Sequence, residues 1–328
     1  MLSSVRIRRC LLFSFAILAV YASPLTVQAQ APEAVDIVRI DTDLVNLSVS
    51  IFNPKLRDAP VALQQRDFTI LDDGKAQEIS FFATNDSPFD LVLLLDLSGS
   101  TADKIGLIKK SAKRFVEATR PEDRIAVVTF TADIRTVSKL TLDRAALKKS
   151  IDSIDRPSGG TNFWDALRFA LEHVTIQSRM EHRRSAVIVL TDGVDNALPD
   201  VFGDGSKTTF SELIEVVRRT DSIVLPIYLD TEKESNPQSA PASAYAMARE
   251  QLVQLAEESG NLIYQARKVK DLDGVYQQVI RDLGTVYSIG YRPANRGRDG
   301  AWHSVSVQIA NRPELFVRAR RGYYEGKQ

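Results

Sequence analysis

Residues 89–100 read Phe-Asp-Leu-Val-Leu-Leu-Leu-Asp-Leu-Ser-Gly-Ser, and this stretch is the best guide to the fold. The unbroken apolar run before Asp96 predicts a strand buried on both faces, as found inside a parallel sheet. Residues 101–119 then follow a helical pattern, with an apolar stripe at Ile105, Ile108, Ala112, Phe115 and Val116. Open α/β sheets bind ligands where a strand ends and a helix begins, so this junction is a candidate ligand site.

The polar residues of this junction are Asp96, Ser98 and Ser100. Their side chains supply one carboxylate and two hydroxyls, and such oxygens suit a hard cation such as Mg²⁺. Asp and Ser are also common helix N-caps and turn formers. This motif alone therefore leaves both the metal site and the helix cap open.

Two further segments favour the metal site. Residues 158–162 read Ser-Gly-Gly-Thr-Asn, a glycine-hinged loop before a helix that we predict over residues 163–176. A second buried strand, at residues 185–191, ends directly before Asp192-Gly193. Like residues 96–100, both segments lie where a strand ends or a helix begins.

Together these segments resemble the metal-ion-dependent adhesion site of von Willebrand factor A domains in order, spacing and context. The matching residues are Asp96, Ser98, Ser100, Thr161 and Asp192. The resemblance covers about residues 89–283 and implies an α/β fold with a doubly wound, mostly parallel sheet. It also implies that the three hydroxyls ligate Mg²⁺ (or Mn²⁺), and that the two carboxylates act directly or through water.

The flanking segments are similar to those of the bacterial VWFA-related family described from acidobacteria. The segments that carry this similarity are residues 67–75, 287–293 and 317–324. That family is defined by sequence more than by biochemistry. It therefore implies a fold and a site, but little about activity.

The composition of the 328 residues is that of an ordinary globular chain, with 44% hydrophobic and 26% charged residues. The formal net charge of zero gives no support for nucleic-acid binding. The histidines, His173, His182 and His303, are scattered, and none lies in a carboxylate or cysteine motif. We expect them to be surface or boundary residues.

The first residues have the three parts of a secretory signal, which we assign to residues 1–29. Three arginines at positions 6, 8 and 9 precede an apolar run over residues 11–22, and small residues follow it. The run is short for a membrane span, so we expect cleavage and a secreted or periplasmic protein with no integral membrane segment. An uncleaved segment would instead anchor the protein. Cleavage would also remove Cys10, the only cysteine, and exclude disulfides.

The rest of the chain divides into three segments. Residues 35–86 read as β structure, residues 89–284 as the von Willebrand factor A domain, and residues 286–325 as further strands. The N-terminal segment has too few strands to cover a core alone. We therefore predict that both ends form one small antiparallel β module into which the A domain is inserted.

Within the N-terminal segment, strands at residues 68–71 and 79–82 flank Asp72-Asp73-Gly74. This arrangement predicts that the two strands form a hairpin, with a positive φ at Gly74.

Two long polar connections leave the predicted ligand edge of the sheet, at residues 196–209 and 230–242. Loops in this position often carry recognition. The second is rich in Ser, Pro, Asn and Glu, so disorder is an equally good interpretation of it.

The function that these features favour is a secreted or periplasmic binding module. A bound cation would capture an exposed Asp or Glu of a partner protein. An envelope scaffold or assembly factor is the alternative that uses the same site. A metal-dependent phosphotransfer enzyme is less favoured, because Ser98 stands where aspartate-dependent phosphatases have a second aspartate as general acid. We therefore expect no enzymatic activity.

Overall fold

The computed structural model describes residues 44–53, 62–155, 159–181, 183–232, 240–294 and 300–325, with the backbone alone at 102 and 103. All of these residues belong to one compact unit, Asp43–Gln328. The predicted signal segment, residues 35–43 of the N-terminal segment, and most of the predicted loop at 230–242 lie outside the described residues.

The described residues form strands β1 (Val45–Phe52), β2 (Phe68–Asp72), β3 (Lys75–Gln77), β4 (Ile79–Ala83), β5 (Phe89–Asp96), β6 (Arg124–Phe130), β7 (Ile134–Thr141), β8 (Arg184–Thr191), β9 (Ile223–Leu229), β10 (Tyr264–Ala266), β11 (Val286–Tyr291), β12 (Trp302–Ile309), β13 (Phe316–Arg318) and β14 (Gly322–Tyr324). They also form α-helices α1 (Ile105–Ala118), α2 (Arg144–Asp152), α3 (Phe163–Phe169), α4 (Ile176–Met180), α5 (Phe210–Arg219), α6 (Ala242–Glu258) and α7 (Leu272–Leu283).

The central sheet has six strands in the order β10-β9-β8-β5-β6-β7. All neighbours are parallel except β7, which pairs antiparallel with β6 at the edge. Each residue of β5 is buried. Its odd-numbered leucines pack against α1, α2 and α7, whereas Val92 and Leu94 pack against α3, α5 and α6. This two-sided burial explains why β5 has no polar alternation.

The second part of the fold is the β module, which consists of two four-stranded sheets, β13-β1-β11-β4 and β14-β12-β2-β3. Strand β1 pairs antiparallel with β11, with Val49 opposite Tyr287. The sheets enclose their own apolar core, to which Leu47, Ile70 and Ile289 contribute. The predicted fold class is therefore confirmed: a mostly parallel α/β sheet is inserted between strands of an antiparallel module.

The predicted hairpin was partly wrong. Gly74 has the expected positive φ of 76°, and Asp73 has a φ of 47°. This tight turn pairs β2 with β3, with Asp72 opposite Lys75, because a two-residue turn joins the residues directly beside it. Strand β4 instead pairs with β11 in the other sheet, where Phe82 stacks on Tyr287.

The helix predicted over residues 163–176 is also divided. Helix α3 ends at Phe169, and a π-helical segment, Ala170–Val174, separates it from α4. Within the described ranges, no helix combines the length and the apolar character needed to cross a membrane.

The two connections between the β module and the inserted domain lie side by side. The Asn85 side chain donates a hydrogen bond to the Gly284 carbonyl at 2.7 Å. Arg184, the first residue of β8, donates to the Val286 carbonyl at 2.6 Å and stacks on the Phe89 ring. The chain therefore enters and leaves the inserted domain at the amino edge of the central sheet.

Candidate metal centre

The centre of the candidate site is the carboxyl end of β5 and β8. These strands are parallel neighbours with Leu95 opposite Leu190, so Asp96 and Thr191 end them side by side. Asp192 follows at once. The side chains of Asp96 and Asp192 are almost wholly removed from solvent, with exposures of 0% and 2%.

Both carboxylate oxygens of Asp96 accept hydrogen bonds. The Ser98 backbone N–H donates to Oδ1 at 2.9 Å, and the Thr191 hydroxyl donates to Oδ2 at 2.6 Å. The first bond shapes the loop after β5, and the second joins β5 to β8. Asp96 is therefore held in one orientation by two separate segments of the chain.

Ser98, Ser100 and Asp192 form a row of oxygen atoms beside Asp96. The two serine hydroxyl oxygens are 3.3 Å apart, and the Ser100 hydroxyl donates to Asp192 Oδ2 at 2.8 Å. Adjacent ligands of an octahedral Mg²⁺ lie about 2.9 Å apart, because each is about 2.1 Å from the ion. These residues thus fit a small hard cation both in the chemistry of their oxygens and in the spacing of the row.

Thr161 joins this group through Asn196 and not by direct contact. The Thr161 backbone N–H donates to Asn196 Oδ1 at 2.9 Å, and the Asn196 N–H donates to the Thr161 carbonyl at 2.9 Å. Thr161 is buried at the start of α3, and Asn196 lies four residues after Asp192. The structure therefore brings three of the predicted residues into one row beside Asp96, and Asn196 joins the fifth, Thr161, to the loop that follows Asp192.

The electrostatics of the site favour a positive charge. Burial, with a further contribution from the charge of Asp192, raises the pKa of Asp96 to about 7. Hydrogen bonds from Thr191 and Ser98 act in the opposite direction. Two buried carboxylates repel one another in a medium of low polarity, and a cation between them removes that cost.

Three further residues, Thr231, Asp195 and Asn196, shape the site and were not predicted as site residues from the sequence. The Thr231 hydroxyl donates to Asp192 Oδ2 at 2.6 Å from just beyond β9. Asp195 is fully buried and accepts the N–H of Trp164 at 2.9 Å, which fixes the start of α3. The sequence Asp192-Gly-Val-Asp195-Asn196 contains a signal for two of them, since further polar residues follow the strand end.

A second polar cluster, at Asp72, Asp73 and His303, lies in the β module and not at this site. His303 Nδ1 is 2.9 Å from Asp73 Oδ2, and its Nε2 is 3.6 Å from a Glu325 oxygen. Tyr291 and Tyr323 donate to Asp72 at 2.9 and 3.0 Å. His303 is thus partly buried, and the carboxylates beside it are brought there from distant parts of the sequence by the fold.

Comparison with known proteins places the central sheet in a known family. A family model described as von Willebrand factor type A domain matches residues 90–278, more than half of the chain. The uncharacterized protein YfbK of Escherichia coli (strain K12) is 32% identical over 108 residues, which are 32% of this chain and 18% of that protein. Calcium-activated chloride channel regulator 1 of Equus caballus is 32% identical over 120 residues, 34% of this chain and 13% of that protein.

The chain thus spans less than a fifth of the length of either curated relative. Among solved structures, it is similar to proximal thread matrix protein 1 from the mussel byssus, determined with a zinc-occupied MIDAS motif. The TM-score is 0.48 at 20% identity, over 64% of this chain and 48% of that one. The residues that the family model matches include all five candidate ligands.

Proposed function

The chain belongs to the von Willebrand factor type A domain family, and from this membership we propose a secreted or periplasmic binding module that captures an acidic residue of a partner protein. The observation that carries the proposal is the row of oxygens from Ser98, Ser100 and Asp192, with separations of 3.3 and 2.8 Å. The row lies at the ligand edge of the sheet, beside the buried carboxylate of Asp96.

The proposed ligands are Asp96, Ser98, Ser100, Thr161 and Asp192. A bound Mg²⁺ or Mn²⁺ would supply a positive centre that attracts an Asp or Glu carboxylate. Three of the five protein ligands are neutral hydroxyls, so the ion would attract a further carboxylate more strongly than an ion held by carboxylates alone. Gly160 lets Thr161 approach Asn196, because a Cβ at residue 160 would lie 2.8 Å from the Asn196 amide nitrogen.

The finer parts of the proposal rest on the sequence. The N-terminal pattern over residues 1–29 supports export, and without cleavage the same segment would anchor the protein in a membrane. The flanking segments support membership of the bacterial VWFA-related group described from acidobacteria. The zero net charge favours a protein partner over nucleic acid.

An envelope scaffold or assembly factor would use the same ion and differ only in its partner. Phosphotransfer is less well supported, because Ser98 offers a hydroxyl where the general acid of that chemistry is needed. We therefore propose a module without enzymatic activity.

The test is capture of a partner from an envelope extract of the source organism, in Mg²⁺ and in EDTA. The immobilised proteins are the wild type, Asp192→Ala, and the control Asp133→Ala, which removes an exposed carboxylate just beyond β6 at the same edge. We expect Mg²⁺-dependent retention of the same protein by the wild type and by the control, and its loss with Asp192→Ala. Replacement of one acidic residue of that partner by its amide should also abolish retention.

Equal retention in EDTA, or by Asp192→Ala, would contradict the proposed capture through the ion. Metal-dependent hydrolysis of a phosphate ester by the purified wild type, absent from Asp192→Ala, would instead support the enzyme.

A further inference from the structure

The loop after Asp192 has a fixed shape, and we call its residues 195–206 the edge loop. Asp195 closes its base: Oδ1 accepts the N–H groups of Ala197 and Ser206 at 2.8 and 3.0 Å, and Oδ2 accepts the Ser206 hydroxyl at 2.6 Å. Leu198 is buried in the core beneath the loop. The buried carboxyl group of Asp195 thus holds the base of the edge loop, and the buried Leu198 holds its middle.

The edge loop presents Phe202 to solvent. Its exposure of 84% is the highest of the large apolar side chains in the described part of the chain. The exposed neighbours Asp200 and Asp204 are acidic. A single exposed apolar residue is ordinary on a protein surface. Phe202 differs because its backbone is tied to the candidate metal site.

The tie is the side-chain amide of Asn196. Its Oδ1 accepts the Thr161 N–H at 2.9 Å, and its Nδ2 donates to the Phe202 carbonyl at 2.7 Å. Since an N–H can only donate and a carbonyl can only accept, the orientation of the amide is unambiguous. One amide group therefore spans the distance between a proposed metal ligand and the exposed phenylalanine.

Glycines in the edge loop allow this close approach. Gly203 has a φ of 110°, and a Cβ there would lie 2.5 Å from the Asn196 amide nitrogen. A Cβ at Gly205 would clash with the backbone of Ala197. The local sequence is thus adapted to hold Phe202 against Asn196.

We propose that Phe202 determines specificity, and that the partner segment carries a large apolar side chain beside the acidic residue that binds the ion. This inference rests on the proposed function. An ion attracts any exposed carboxylate, so discrimination needs a second contact. An aromatic side chain on a fixed loop gives that contact at low entropic cost. Asp200 and Asp204 disfavour a second acid in the partner segment, and the exposed ring of Phe202 favours an apolar side chain there.

Asn196 is the positioning residue in this arrangement. Asn196→Asp keeps an oxygen acceptor for the Thr161 N–H and loses the donor to the Phe202 carbonyl. Asn196→Ala loses both bonds. Asn196→Asp therefore tests the position of Phe202 while the contact that holds Thr161 is kept.

The probe is a phage-displayed heptapeptide library with a fixed central Asp, selected on the purified protein in Mg²⁺ and in EDTA. We expect the wild type to enrich large apolar residues next to the Asp, in Mg²⁺ only. Phe202→Ser should still select in a Mg²⁺-dependent manner but lose the apolar preference. A synthetic peptide from the wild-type selection should bind Phe202→Ser about tenfold more weakly, as expected for loss of an aromatic anchor.

The matched control is Met180→Ser. Met180 is 77% exposed but ends α4, just before β8 begins at the opposite edge of the sheet. We expect its selection and its peptide affinity to equal those of the wild type. In calorimetry, Asn196→Asp should bind Mg²⁺ at least as tightly as the wild type, and in the peptide selection it should lose the apolar preference. Asn196→Ala should bind Mg²⁺ more weakly and should also show a weaker apolar preference.

This inference would be overturned if the wild type selected peptides in Mg²⁺ without an apolar preference, or if Phe202→Ser kept the same preference as the wild type. The proposed function would remain in either case. A selection that is identical in Mg²⁺ and EDTA would overturn both.

Discussion

We predict that Asp96→Asn stabilises the protein in the absence of metal and abolishes its stabilisation by Mg²⁺. The amide has the shape of the carboxylate, and it keeps an oxygen that can accept the Ser98 N–H. It removes the charge that faces Asp192. The perturbation is therefore electrostatic and leaves the packing at the end of β5 unchanged.

The magnitude follows from the pKa of Asp96, which is raised from 3.8 to about 7. Asp96 binds its proton more tightly in the folded protein than in the unfolded chain. Its contribution to the free energy of unfolding therefore falls as pH rises from about 4 to 7 and is constant above that. The ionised carboxylate costs the metal-free fold about 4 kcal/mol at pH 8. The lost Thr191 hydrogen bond offsets about 1 kcal/mol, which leaves a net gain of about 3 kcal/mol.

The assay is urea unfolding in EDTA at pH 5 and pH 8. The advantage of Asp96→Asn over the wild type should grow by about 2–3 kcal/mol between these pH values. Addition of Mg²⁺ at a hundred times its Kd should then stabilise the wild type by about 2.7 kcal/mol and the variant by nothing.

Asp90→Asn, on the same strand, is the control, because we expect it to change the stability in the opposite direction. Burial raises the pKa of Asp90, but hydrogen bonds from Arg124 and Arg183 lower it overall. Asp90 therefore contributes stability at neutral pH that is lost on acidification, and its amide should cost about 3–5 kcal/mol at pH 8. The reasoning is refuted if Asp96→Asn loses stability at pH 8 in EDTA, or if Mg²⁺ stabilises it as much as the wild type.

Three further predictions concern other parts of the chain. Gly260→Ala should lower the free energy of unfolding by about 1–3 kcal/mol in urea, because residue 260 has a positive φ and its Cβ would clash with the Ala319 backbone; unchanged stability would contradict this. Burial lowers the pKa of His303, but the hydrogen bond and charge of Asp73 and the charges of Asp72 and Glu325 raise it overall. Protonated His303 therefore stabilises the fold at low pH, and this stabilisation is lost as pH rises through the raised pKa. The wild type should therefore lose its stability advantage over His303→Gln between pH 6 and pH 9 in thermal melts, and a constant difference would count against it. Mass spectrometry of exported protein should show a mature start near residue 30 or 32, whereas intact Met1 in the membrane fraction would indicate an anchor.

The central sheet and the place of the site were predictable because their signals are local. Residues 89–95 are apolar at each position except Asp90, and such a run specifies a strand buried on both faces without reference to its neighbours. Asp96 and Asp192 each follow such a run. Since parallel strands end at one edge, the two carboxylates had to lie near one another once β5 and β8 were adjacent.

The remaining features depend on contacts between distant segments. The turn at Asp73-Gly74 joins β2 to β3, but no local signal indicates that β4 pairs with β11, whose Tyr287 stacks on Phe82 from far along the chain. The hydroxyl of Thr231 reaches Asp192 only because β9 lies beside β8. The same holds for Asn196, whose amide joins two loops whose proximity exists only in the folded protein.

The paired connections at Asn85 and Gly284 have a mechanical consequence. A force applied at the carboxyl edge is transmitted through the inserted domain to both connections at once, because they leave from the same opposite edge. The force is therefore shared by two chain segments instead of one. The module strands at these connections, β4 and β11, are antiparallel neighbours with Ala83 opposite Ser288, so each braces the other where the tension arrives. A module attached in this way resists being unravelled from one end.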